Sequence, residues 1–141
     1  MFQVMLFLHI IGALALGFYL VLPFVFGAVG KLSLAAQEGT LSAVKSLNRF
    51  AQIGLVIQLL TGGYLIGKGD YSVLWMIVVV VLFLAIGALG GIMAKPLKLA
   101  IGGIRDNKNI STETAKLRTL SSLLSVSVIL ITFLMVFSTI I

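Results

Sequence analysis

The chain has 141 residues, 60% hydrophobic and 10% charged, with a formal net charge of +6 and no cysteine. Soluble domains average about 45–50% apolar and about 25% charged residues, so a fold in water is excluded: too little polar surface exists to cover these side chains. The missing thiols exclude disulfides, thiolate metal sites and a cysteine nucleophile; the basic residues, lying between long apolar runs, point to membrane topology and away from nucleic acid.

A helix crosses roughly 30 Å of hydrocarbon with about 20 mostly apolar residues. The first such window, residues 2–28, has no basic start and outruns a signal core, so it reads as a retained helix. The second covers 47–66. The third, 73–94, contains the run Val78–Val81, whose β preference lipid overrides. The fourth covers 120–141. Each is expected to be helical, because lipid offers no partner to a free backbone amide. The expected fold is all-α: a single transmembrane domain, 1–141, built as an antiparallel four-helix bundle in contact with the lipid bilayer.

The connectors differ in charge. Nine of the ten basic residues lie in the first, taken from Lys31 to Arg49, and the third, from Lys95 to Leu120, and only Lys68 lies in the turn Gly67–Asp70. The positive-inside rule then places connectors 29–46 and 95–119 in the cytoplasm and both termini outside. Residues of the first connector could extend helices beyond the bilayer. Ser111 is expected to cap the fourth helix, with Glu113 favourably placed in its first turn. Tyr71 and Trp75 are expected at the outer interface, as an aromatic belt.

Ile11-Gly12-Ala13-Leu14 recurs as Ile86-Gly87-Ala88-Leu89, and each copy precedes a proline, Pro23 or Pro96. Lys45 to Thr61 also matches Lys116 to Thr132 in spacing and hydropathy. Helices 1–2 and 3–4 therefore read as two hairpins of a parallel repeat about an axis along the membrane normal. Small residues four apart (Ala13/Gly17, Gly63/Gly67, Gly87/Gly91) suit close helix approach. Ser125, Thr132 and Thr139 recur every seven residues and share a face of helix 4. That face is expected to point inward, either as packing or as the lining of a homo-oligomeric channel.

Ionisable groups inside a membrane are the first functional clue. His9 is the one candidate; no Asp, Glu, Lys or Arg occupies the centre of a span. The absence argues against a proton-coupled antiporter, and the lack of a liganded metal or of a nucleophile with its base argues against membrane hydrolases. No enzymatic activity is expected. His9 lies in the outer half of helix 1 with Met5 one turn above it on the same face, and Met135 lies in the outer half of helix 4. Thioether plus imidazole is a soft donor set that suits Cu(I), or an axial pair for haem iron. The alternative is packing, with His9 hydrogen-bonded to Gln58, Thr61 or a hydroxyl of helix 4. Gln3, Gln52 and Gln58 read as bonds between helices.

Phe7-Leu8-His9-Ile10-Ile11-Gly12-Ala13 resembles the opening of CopD-like copper-resistance membrane domains and of related small bacterial membrane proteins. Asn48-Arg49-Phe50 followed by Leu59-Leu60-Thr61-Gly62-Gly63-Tyr64-Leu65 is similar to their second helix. The likeness covers about residues 7–100 and implies copper handling, with His9 the matching position. Two functions are thus expected from the sequence. One is a protein that binds or passes a small ligand, copper or haem, at an outward-facing site of His9, Met5 and Met135. The other is a structural or accessory subunit that assembles with itself or with a larger membrane complex through its small-residue faces.

Overall fold

The computed structural model describes residues 1–141. It is all helix: α1 (Phe2–Leu16), a 3₁₀ turn (Gly17–Leu20), α2 (Leu22–Val29), α3 (Leu34–Lys68), α4 (Val73–Ile92), α5 (Ala94–Arg105) and α6 (Ser111–Val136). These make four segments long and apolar enough to cross a membrane, Phe2–Val29, Leu34–Lys68, Val73–Arg105 and Ser111–Val136, packed as a bundle. Their outer surfaces carry a continuous set of exposed Leu, Ile, Val and Phe side chains, which only lipid can cover favourably. His9 faces Thr61, Tyr19 faces Asn48 and Trp75 faces Leu134, so helices within each hairpin run antiparallel and both chain termini share one end. The other end, with most of the Lys and Arg on or beside its two connectors, is the basic end.

The helices outrun the apolar windows at that basic end. With 35 residues, α3 is about 52 Å long, and the first connector shrinks to Gly30–Ser33. Ser33 caps α3 by accepting from the Ala36 amide at 3.3 Å. The segment after Ile92 is the helix α5, and the third connector is residues 106–110 only. Ser111 does not cap α6. The preceding Ile110 has no capping side chain, and the Ser111 amide instead donates to Asn109 Oδ1 at 2.9 Å. Asn109 serves because its short side chain reaches an amide two residues on and closes an Asx turn. At the far end α6 stops at Val136, leaving 137–141 outside it.

Both first helices of the hairpins are interrupted, and proline is the reason. Pro23 has no N–H for the Tyr19 carbonyl, and the chain tightens into i→i+3 bonds, Val21 to Phe18 at 3.2 Å and Phe24 to Val21 at 3.1 Å. Phe24 is thereby withdrawn from the Leu20 carbonyl, and the Ser125 hydroxyl replaces it at 3.2 Å. Pro96, in the first turn of α5, likewise deprives the Ile92 carbonyl, next to the break at Met93. Each interruption lets the helix change neighbour. Near the termini α1 packs on α3 and α4 on α6; beyond the breaks α2 packs on α6 and α5 on α3. The two hairpins therefore share a core mainly at the basic half, where Tyr19, Leu22, Phe26, Val29, Leu41, Leu97 and Leu117 are all at most 1% exposed. Removing the Leu20 donor by Ser125→Ala is expected to cost about 1 kcal/mol in reversible detergent unfolding, with Ser125→Thr close to the parent.

Two sequence expectations about faces change. Trp75 is 2% exposed, stacked on Tyr71 at 4.5 Å between ring centroids, and its indole donates to the Leu134 carbonyl at 2.8 Å. It is a packed cap for the end of α6, whose last carbonyls lack helical donors, and not an exposed belt residue. On α6 the buried stripe is Leu117, Ser121, Leu124 and Val128. Ser125 flanks it, the exposed Thr132 bonds to its own helix at Val128, and Thr139 lies beyond the helix. The three hydroxyls do not form an inward face, because at about 100° per residue Ser125 and Thr132 sit roughly 60° around the helix from the centre of the buried stripe and Thr139 lies outside the helix.

Candidate functional site

His9 is held at the interface of α1 and α3 by glycines. A methyl group on Gly12 would sit 3.2 Å from the Gln58 side chain and 3.3 Å from the Gly54 carbonyl, and one on Gly54 would sit 3.0 Å from the Ala15 methyl. Backbone contact this close brings the half-buried His9 ring against Gly62 and into hydrogen-bond range of Thr61. The Thr61 hydroxyl has one proton, and it goes to the Ile57 carbonyl at 2.7 Å. Toward His9 Nδ1, 2.9 Å away, the same oxygen therefore accepts. With the Thr61 proton on the Ile57 carbonyl, the tautomer that suits this contact carries its own proton on Nδ1 and leaves the lone pair on Nε2. Beside it, Gln58 Oε1 is a buried acceptor with no hydrogen-bond partner. One turn toward the termini, Met5 is half-buried on the same helix.

Met135 is not brought to this place. It is exposed on α6, in the part of the bundle where α6 packs on α4 while α1 packs on α3. A haem held between Met5 and His9 does not fit their placement on α1. Axial ligands approach iron from opposite faces of the macrocycle, whereas Met5 and His9 project from one side of one helix, so the two do not make an axial pair. Imidazole and thioether are soft donors of the kind that Cu(I) takes, and Met5 and His9 lie one turn apart on α1. No group of three or more His, Cys, Asp or Glu side chains is assembled anywhere in the chain.

The strongest polar cluster lies deeper and joins the hairpins. Tyr19, 0% exposed, donates through its hydroxyl to Asn48 Oδ1 at 2.6 Å. Asn48 Nδ2 donates to the Gly90 carbonyl at 3.1 Å, and Gln52 Nε2 donates to the Tyr19 hydroxyl at 3.2 Å. These bonds tie α3, α4 and the 3₁₀ turn to one another, and the cluster reads as the lock between them. Sequence reasoning had Gln52 as an interhelical bond but missed Tyr19 and Asn48. The legible signal was Asn48 and Gln52 at i and i+4, an amide pair on one helix face that the apolar surroundings oblige to find partners.

The small-residue pairs separate into used and unused. Gly63, Gly67, Gly17 and Gly91 meet nothing within 4 Å of where a side chain would start, and Gly87 touches only Leu55, at 3.8 Å. The close approaches are made at Gly12, Gly54 and Gly90. Comparison of the chain with protein-family models, with curated proteins and with solved structures finds no match.

Proposed function

We propose that this four-span membrane protein is a non-catalytic carrier of a small soft ligand, with Cu(I) the candidate, held by His9 Nε2 and the Met5 thioether near the terminal end of the bundle. The observation that carries the reading is the 2.9 Å contact of His9 Nδ1 with the Thr61 hydroxyl, an oxygen that also lies 2.7 Å from the Ile57 carbonyl. Ligating histidines almost always donate their other ring N–H to a second group that orients them, and Thr61 accepts that proton from His9. By the positive-inside rule the Lys- and Arg-rich end is cytoplasmic and the His9 end faces outward. Copper handling is also what the resemblance of residues 7–13 and 59–65 to CopD-like domains implies.

The test is Cu(I) competition against a chromophoric chelator with purified protein in mild detergent. The parent is expected to retain about one equivalent per chain and His9→Ala none. Thr61→Val, which removes the orienting acceptor but no ligand, is expected to weaken binding about 10- to 100-fold. Equal binding by all three would end the proposal.

A second reading has its own observation. Gly63 and Gly67 are exposed toward lipid and unused within the bundle, the arrangement by which small residues seat a neighbouring helix. Under it the protein is an accessory subunit or homo-oligomer, and His9 serves packing only. Gly63→Leu with Gly67→Leu should then shift the oligomer toward monomer in light scattering, with helix content unchanged.

A further inference from the structure

At the basic end a cleft of about 580 Å³ opens between α5, the 106–110 connector and the start of α6. Its origin lies in one turn. Asn107 adopts a positive φ of 56°, and the Lys108 amide reaches back to the Gly103 carbonyl at 2.7 Å while the Asn107 amide reaches Ile104 at 3.2 Å. This is the Schellman arrangement that ends helices in a left-handed residue. It folds the connector over the last turn of α5. Gly103 allows the fold-back, since a methyl group there would stand 2.7 Å from the Ile110 side chain, whereas Gly102 meets nothing and leaves the floor open.

Lys95, Lys98 and Lys108 line the cleft, with Asp106 and Glu113 as its carboxylates. None of the five is neutralised by another: the chain's ion pair is Arg105 with Glu38, at 2.6 Å. Three free ammonium groups and two free acceptors therefore converge on one concavity. Its height is set by α4, whose 20 residues measure about 30 Å, the thickness of the hydrocarbon. Lys95 follows shortly after the end of α4, so the cleft begins at headgroup level.

We propose that this cleft is a binding site for the headgroup of an anionic phospholipid. The lysines take the phosphodiester, and Asp106 and Glu113 accept from hydroxyl donors of the headgroup, as a phosphoglycerol supplies. A lipid reaches the site laterally from the adjoining leaflet, which a free phosphate need not do.

The experiment titrates detergent-purified protein with phosphatidylglycerol, with phosphatidylcholine and with inorganic phosphate, reading bound adducts by native mass spectrometry. Three proteins are compared: the parent, a cleft variant (Lys95→Gln, Lys98→Gln, Lys108→Gln) and a control that loses equal charge at exposed lysines of the same end (Lys31→Gln, Lys45→Gln, Lys116→Gln). Circular dichroism confirms equal helix content before titration. The expected result is preferential binding of phosphatidylglycerol, weakened about tenfold or more in the cleft variant and less than about threefold in the control. Equal weakening in both variants, or no preference over phosphatidylcholine, overturns the site. Inorganic phosphate binding as tightly as the lipid overturns the lipid as its ligand.

Discussion

Gly90→Ala is expected to destabilise the bundle by about 1–3 kcal/mol, the usual range for adding a methyl to a filled interior. The added carbon would collide with Gln52 Nε2 and lie 2.7 Å from the Tyr19 hydroxyl. Gln52 can swing away. Tyr19 cannot, because its ring is completely buried and its hydroxyl is committed to Asn48 at 2.6 Å. The methyl therefore either breaks that bond or pushes α4 off α3, and with it the Asn48 bond to the Gly90 carbonyl. Reversible unfolding in detergent measures the loss. Tyr19→Phe in the Gly90→Ala background separates the two routes. By itself Tyr19→Phe costs stability, since it leaves Asn48 Oδ1 without a donor, but combined with Gly90→Ala it also removes the colliding atom. A favourable coupling energy in the double-mutant cycle is the expected signature. Additive losses would show that the cluster is not the point of contact.

Gly54→Val is expected to act on the fold and the His9 site together. A side chain there starts 3.0 Å from the Ala15 methyl and 3.4 Å from the Gly12 carbonyl, and two helix backbones cannot yield as a flexible side chain does. The expected stability loss is about 3 kcal/mol, the upper part of the overpacking range. The separation also lengthens the 2.9 Å contact between His9 and Thr61, so Cu(I) affinity should fall as it does in Thr61→Val. Gly63→Ala, on the same helix but open to lipid, is the matched control. It should leave both quantities unchanged or raise stability by up to about 1 kcal/mol through helix propensity. Gly54→Val that binds copper normally would show that the α1–α3 approach does not orient the ligand.

How far the site could be read in advance depended on the kind of residue. His9 was visible as the one imidazole in a chain whose spans hold no central charge, and Thr61 and Gln58 were legible as possible partners because polar side chains in lipid need partners. Their order was not legible. That Thr61 bonds and Gln58 Oε1 stays unpaired depends on how α3 is rotated about its own axis. Met135 shows the limit from the other side. It shares a depth with His9 in sequence, yet the exchange of neighbours at Pro23 and Pro96 sets it on the other helix pair.

The sequence alone determined that the chain is helical, that it has four segments able to span a membrane and that its charge gathers at one end. These are local properties: hydrocarbon thickness demands a contiguous apolar run, and an unpaired amide in lipid demands a helix. Only the tertiary structure decided which faces meet. The helices are apolar on nearly every side, so no amphipathic stripe marks the buried one, and Gly12, Gly54 and Gly90 look no different in sequence from Gly63, Gly67 and Gly91. What distinguishes them is the Tyr19–Asn48–Gln52 cluster and the two proline breaks, which fix the rotation and the partners of each helix, and so decide which glycines bring backbones together and which are left facing lipid.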